Sequence, residues 1–180
     1  MKDFFNTIKP VLFLVVLPTI VILGVILVTQ SSSQKISATT VNDNGFLSNS
    51  TVKIDQTSFN FGTISQKDGL VNAFYEVTNT GNEDILLKEL YTSCGCTKAQ
   101  LLYADGSVSG LYTMKGMAGA QDFTVGKNLK PGETVKIKAT FDPNAHGPQG
   151  IGYIKRNIML GTNMKSNSLI QVSFEAEVTK

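Results

Sequence analysis

The stretch TVKIKATF, residues 134–141, alternates polar and apolar side chains over its whole length. Successive side chains of a β-strand point to opposite faces, so this pattern places one side of the strand on a core and the other in water. The apolar side consists of Val135, Ile137, Ala139 and Phe141. The same period of two recurs over residues 71–77 and 170–178, which predicts further half-buried strands.

Residues 59–64, 85–91 and 153–160 are rich in apolar and aromatic side chains and are additional strand candidates. Turn-forming residues punctuate the strands at four places: residues 79–82, 130–133, 142–144 and 161–163. Short strands with turns at this spacing predict an all-β fold, an immunoglobulin-like β-sandwich over residues 51–180.

Residues 102–130 break the alternating pattern and are named the glycine-rich excursion below, because they contain five glycines. They predict a long loop that includes a short hairpin. Loops of this length in a compact domain are uncommon unless they have a function.

An uncharged apolar run covers residues 11–28, and Lys2 and Lys9 precede it. As a helix it spans roughly 27 Å, close to the hydrocarbon core of a bilayer. Positive residues stay on the cytoplasmic side. The sequence therefore predicts cytoplasmic residues 1–10, a transmembrane helix at residues 11–28, a flexible linker at residues 29–50 and an extracytoplasmic domain. A cleaved signal peptide is the alternative.

The charge of the predicted domain is balanced. Residues 1–35 hold three Lys and one Asp of the 16 basic and 14 acidic residues, which leaves 13 of each. Without a basic tract, neither nucleic acid nor an anionic membrane surface is expected as the main partner. The expected partners are the membrane, through the N-terminal helix, and metal ions or envelope proteins.

Cys94 and Cys96 are the only cysteines of the chain and are separated by Gly95. If both lie on a strand, they share a face with Cα atoms roughly 6.5–7 Å apart. That separation is at or beyond the limit for a disulfide, so a disulfide needs a local bend, which glycine permits. Two thiolates on one face can instead hold one soft metal ion.

Five motifs together resemble the bacterial domain of unknown function 1573 family. They are F-N-F-G-T-I at 59–64, N-T-G at 79–81, T-S-C-G-C-T at 92–97, P-G-E at 131–133 and F-D-P at 141–143. The resemblance covers roughly residues 52–178 and implies an exported Ig-like domain, related in shape to ASH and major-sperm-protein sandwiches. Longer members carry G-M-x-G-H and H-G-P. This chain matches at Met117 and His146 but has Ala120 in place of the family's histidine.

Four soft or borderline donors define the predicted metal site: Cys94, Cys96, His146 and Met117. Thiolate, thioether and imidazole together suit copper. Zinc is the alternative, although thioether is a poor zinc ligand. His146 is the only histidine in the chain. The leading functional prediction is therefore a membrane-anchored, extracytoplasmic module that binds copper.

Other roles for the cysteines remain open. They form a disulfide that fixes a turn in a structural or adaptor module of the cell envelope, they act as a redox pair, or they are inert thiols. A redox pair lacks the βαβ surroundings typical of thioredoxin-like proteins. The sequence has no nucleophile elbow, Walker loop or H-E-x-x-H motif, so the chain is not expected to be an enzyme.

Overall fold

Two β-sheets built from nine strands make up the part of the chain that the computed structural model describes, residues 46–116 and 122–180. The strands are β1 (Val52–Ile54), β2 (Ser58–Ser65), β3 (Val71–Asn79), β4 (Ile85–Thr92), β5 (Thr97–Tyr103), β6 (Thr124–Leu129), β7 (Thr134–Phe141), β8 (Gly152–Thr162) and β9 (Leu169–Thr179). Two short 3₁₀ turns, Gln66–Asp68 and Gly147–Gly150, follow β2 and precede β8.

One sheet has four strands in the order β1-β3-β7-β5, and the other has five in the order β2-β9-β8-β4-β6. Neighbouring strands are antiparallel, except that β2 runs parallel to β9. The chain changes sheet repeatedly, and the connection from β4 to β5 is one of these changes. All of the described residues lie within the compact unit Val41–Lys180.

Apolar side chains from both sheets meet in a shared core, as the alternating patterns predict. In β7 the apolar residues are buried and the intervening ones are only partly so. Phe141 of one sheet lies 5.4 Å, centroid to centroid, from Phe174 of the other. Tyr75 is fully buried and its hydroxyl donates a hydrogen bond across the core to the carbonyl of Ser173, at 2.7 Å. Burial is also the main reason that the pKa of Tyr75 is raised.

The alternating stretches of the sequence correspond to β3, β7 and β9, and the other strand candidates to β2, β4 and β8. The strands β1, β5 and β6 are not among those predictions. The predicted excursion at residues 102–130 is shorter than expected, because β5 extends to Tyr103 and residues 124–129 form β6. Gly126 has a φ of +62° there, and the pairing of β4 with β6 shifts register, so no clean alternation marks this strand.

Residues 46–50, at the end of the predicted linker, contact the folded domain. Ser48 is buried, and its backbone amide donates to the carbonyl of Asn163 at 2.9 Å. Ser50 is also buried. The cytoplasmic segment, the transmembrane helix and the rest of the linker, residues 1–45, lie outside the described residues. Within the described part, no helix has the length and apolar character needed to cross a membrane.

The N-T-G motif at residues 79–81 joins the start of the domain to its core through Asn79. The Asn79 side-chain amide is buried, donates to the carbonyls of Glu83 and Leu129, and accepts a bond from the Ser50 hydroxyl. Position 81 requires glycine, because a Cβ atom there would lie 2.8 Å from the Cα of Ser50. The motif is therefore a packing requirement.

We expect Gly81→Ala to lower the free energy of unfolding by about 1–3 kcal/mol, because the added methyl group overlaps the backbone beside it. Gly110→Ala is the matched control, since its nearest heavy atoms, in Tyr112, lie at an ordinary contact distance of 3.8 Å. Denaturant unfolding of both variants measures the difference. Equal stability of the two variants would contradict the packing role of Gly81.

Candidate functional site

The C-G-C motif forms the corner at which the chain leaves one sheet for the other. β4 ends at Thr92 in the five-stranded sheet, and β5 begins at Thr97 in the four-stranded one. The amide of Thr97 donates to the carbonyl of Cys94 at 3.1 Å, which closes a four-residue turn. The possibility that both cysteines lie on a strand is therefore wrong, because the connection between the sheets is too short to continue as one.

The turn brings the Cα atoms of Cys94 and Cys96 to 5.3 Å, and the two residues form a disulfide. This separation is within the usual range for disulfides. The bend that Gly95 was expected to permit is thus present. The structure favours the predicted disulfide over the predicted copper or zinc site with two thiolate ligands, because joined sulfur atoms are not thiolates.

Hydrogen bonds hold the corner independently of the disulfide. The hydroxyl of the buried residue Thr92 lies 2.9 Å from the carbonyl oxygen of Cys94 and 3.0 Å from that of Thr97, so its proton is shared between them. The amide of Asp142 donates to the carbonyl of Cys96 at 3.0 Å. Buried backbone carbonyls need such partners, and these contacts explain the threonine at position 92.

The two sulfur-bearing residues differ in their exposure. Cys96 is only 6% exposed and belongs to the apolar core cluster, whereas Cys94 is half-buried. Cys94 is therefore the more solvent-exposed residue of the two.

His146 lies beside Cys94, with 3.6 Å between its Nε2 atom and the sulfur atom of Cys94. It is exposed and sits in the loop after β7, which Gln66 anchors by donating to the carbonyls of Pro143 and Gly147. One potential ligand atom from each of Cys94, Cys96 and His146 lies within 4.8 Å of the others. The structure thus brings together three of the four predicted ligands, and metal binding by them stays a prediction.

Met117, the fourth predicted ligand, lies outside the described residues. The described part of the glycine-rich excursion runs beside the corner, because Thr92 donates its amide to the carbonyl of Thr113 at 3.2 Å and forms an isolated bridge with Met114.

Arg156 also belongs to the site, although no sequence motif predicted it. It lies on β8, and its Nε–H donates to the sulfur atom of Cys96 at 3.2 Å. Partial burial lowers the pKa of its guanidinium. One signal in the sequence marks it, since Arg156 is the only arginine among 16 basic residues.

A groove of about 500 Å³ opens beside the disulfide. Its lining includes His146, Tyr153 and Arg156, so a molecule in it lies next to the polar groups of the site. The hydroxyl of Tyr153 donates to Glu175 at 2.7 Å.

The family model described as "Protein of unknown function (DUF1573)" matches residues 52–125 of this chain. The match confirms the predicted resemblance over this range, which contains three of the five motifs. It includes the C-G-C motif and ends before His146. No curated protein matches this chain.

Among solved structures, a protein of unknown function from Porphyromonas gingivalis W83 is 17% identical, with a TM-score of 0.53. The match covers 75% of this chain but only 51% of that protein, so this chain spans about half its length. At this identity the likeness shows a shared fold.

Two weaker structural matches are an ASH/PapD-like domain of human CEP192 and the secreted serine protease VesC from Vibrio cholerae. The first is 16% identical with a TM-score of 0.45 and covers 75% of this chain and 90% of that one. The second is 11% identical with a TM-score of 0.45 and covers 71% of this chain and 23% of that one.

We expect the domain to stay folded when the disulfide is reduced. The loop between the cysteines, which are two positions apart, is so short that its closure contributes only about 1.5 kcal/mol to stability. Urea unfolding with and without dithiothreitol measures this contribution. A Cys94→Ala/Cys96→Ala variant, which has no disulfide, is the control and should not respond to reductant. Cooperative unfolding on reduction alone would contradict this expectation.

Proposed function

We propose that this chain is a structural or adaptor module of the cell envelope, whose Ig-like sandwich carries a disulfide between Cys94 and Cys96. The single observation that carries the proposal is the position of that disulfide at the corner between the sheets. A bond there rigidifies the turn between β4 and β5. The role proposed is not enzymatic.

The proposed location is the extracytoplasmic side of a cell membrane, with a single-pass anchor at residues 11–28. Two independent features support it. The apolar run has the length of a bilayer core and follows two lysines. Disulfides persist in oxidising compartments outside the cytosol, so a disulfide in the folded domain fits an exported protein.

The Ig-like assignment is part of the same proposal. It is supported by two facing sheets of four and five strands, by chain connections that repeatedly change sheet, and by the matched family.

We expect the full-length protein, isolated from membranes without reductant, to have an intact mass lower by two hydrogens than the reduced protein. Iodoacetamide should label no cysteine until a reductant is added, because both sulfur atoms are bonded. A Cys96→Ser variant is the control and should be labelled at Cys94 without reductant. Labelling of both cysteines in the unreduced wild-type protein would refute the proposal.

A second candidate function is binding of a soft metal ion by the reduced form, with copper preferred and zinc as the alternative. The proximity of Cys94, Cys96 and His146 favours it. Met117 is the proposed fourth ligand. Arg156 weighs against it, because the guanidinium beside the sulfur atom of Cys96 repels a second cation unless the side chain moves. For this reason the metal site ranks second.

If the metal site exists, the reduced full-length protein should hold Cu(I) against a chelator of moderate affinity, and the oxidised protein should not. Cys94→Ser, Cys96→Ser and His146→Ala should each release the metal, and Met117→Leu should weaken binding if the thioether is a ligand. A parallel titration with Zn(II) identifies the preferred ion. Equal retention of copper by the two cysteine variants and the wild-type protein would end the metal hypothesis.

A further inference from the structure

Arg156 points its positive charge at the disulfide and has no carboxylate to neutralise it among the residues that the structure describes. Its Nε–H donates to the sulfur atom of Cys96, and its Nη1 donates to the carbonyl of Lys155 at 2.9 Å. A partly buried cation is normally paired with an anion. Here the facing atom is a sulfur, which is neutral in the disulfide and becomes negative when the disulfide is opened.

The two cysteines differ in exposure, and this difference predicts which sulfur atom an incoming thiolate attacks. In thiol–disulfide exchange, a thiolate attacks the more accessible sulfur, and the other sulfur leaves as a thiolate. Cys94 is half-buried and faces the exposed His146, whereas Cys96 is 6% exposed and faces Arg156. The accessible sulfur and the stabilised leaving group are therefore at opposite ends of the bond.

We propose that the disulfide exchanges with thiols, that Cys94 is the sulfur attacked, and that Arg156 stabilises Cys96 as it leaves. This inference rests on the disulfide of the proposed function and adds a redox activity to it. The reacting partner is an alkyl thiolate, from a polypeptide cysteine or from a small thiol.

The proposed exchange has two steps. An incoming thiolate forms a bond to the sulfur atom of Cys94, the bond to Cys96 breaks, and its electron pair stays on the sulfur beside Arg156. The product is a mixed disulfide at Cys94 and a thiolate at Cys96. A second thiolate of the partner then attacks the partner's own sulfur and releases Cys94. The partner is oxidised to a disulfide, and the two cysteines are reduced.

The first experiment tests the direction of attack in wild-type full-length protein in detergent. The oxidised protein is treated with reduced glutathione, the reaction is stopped with iodoacetamide, and peptide mass spectrometry locates the glutathione. We expect glutathione on Cys94 and the alkyl group on Cys96. The same reaction in denaturant is the control and should place glutathione on both cysteines. An adduct formed equally or preferentially at Cys96 in the folded protein would overturn the proposal.

The second experiment tests Arg156 through the rate at which reduced glutathione opens the wild-type disulfide. We expect Arg156→Met to slow the reaction about tenfold, the usual value of a hydrogen bond to a charged group. Arg156→Lys should recover part of the rate, because it keeps the positive charge. Lys155→Met is the matched control, since Lys155 is the adjacent exposed cation, and it should change the rate by less than about threefold.

These measurements separate the inference from the proposed function. If the unreduced wild-type protein already has free thiols, the proposed function fails. If its disulfide is intact but Arg156→Met and Lys155→Met react at the wild-type rate, only this inference fails. If Arg156→Met does not fold, the position of the glutathione adduct in the first experiment decides whether the inference holds. A parallel reaction with a short cysteine-containing peptide identifies the faster source of thiol, and no measurable exchange with either probe overturns the proposal.

Discussion

The chain has only residues 93–96 in which to pass from the five-stranded sheet to the four-stranded one. Packed sheets lie roughly 10 Å apart, so such a short connection must turn sharply and bury part of its backbone. The polar groups of the turn are paired within it and by Thr92 and Asp142. This constraint explains the position of Thr92, whose hydroxyl pairs with the turn carbonyls, and the close approach of the two cysteines.

The same corner collects side chains from distant parts of the chain. His146 comes from the loop that follows β7, and Arg156 comes from β8, whose neighbour β4 leads into the turn. The two cysteines, the only histidine and the only arginine of the sequence thus lie in one place. At this corner the turn holds the two sulfur atoms in place, and His146 and Arg156 can interact with a negative charge on them.

The charge around the sulfur atoms distinguishes the chemistries that such a site can support. A guanidinium next to Cys96 favours a thiolate there and opposes a metal cation, whereas an imidazole next to Cys94 is compatible with either. Metal binding by two thiolates requires the reduced form, whereas the proposed thiol exchange begins with the intact disulfide. The structural role does not depend on which of these chemistries follows.

The sequence alone determined the all-β class, because residues that alternate between core and water leave a period of two wherever a strand is regular. That signal is weak in β6, where a glycine and a register shift interrupt it, and β5 was missed although its alternate residues from Thr97 to Leu101 are buried. The sequence also determined that two sulfur atoms lie close together, because one residue separates them.

Only the tertiary structure decided that these sulfur atoms lie in a turn and that Arg156 faces them. The period of a strand reports which of its faces is buried, but it does not report which strands become neighbours or where the chain crosses between sheets. The surroundings of Cys94 and Cys96 depend on those long-range pairings.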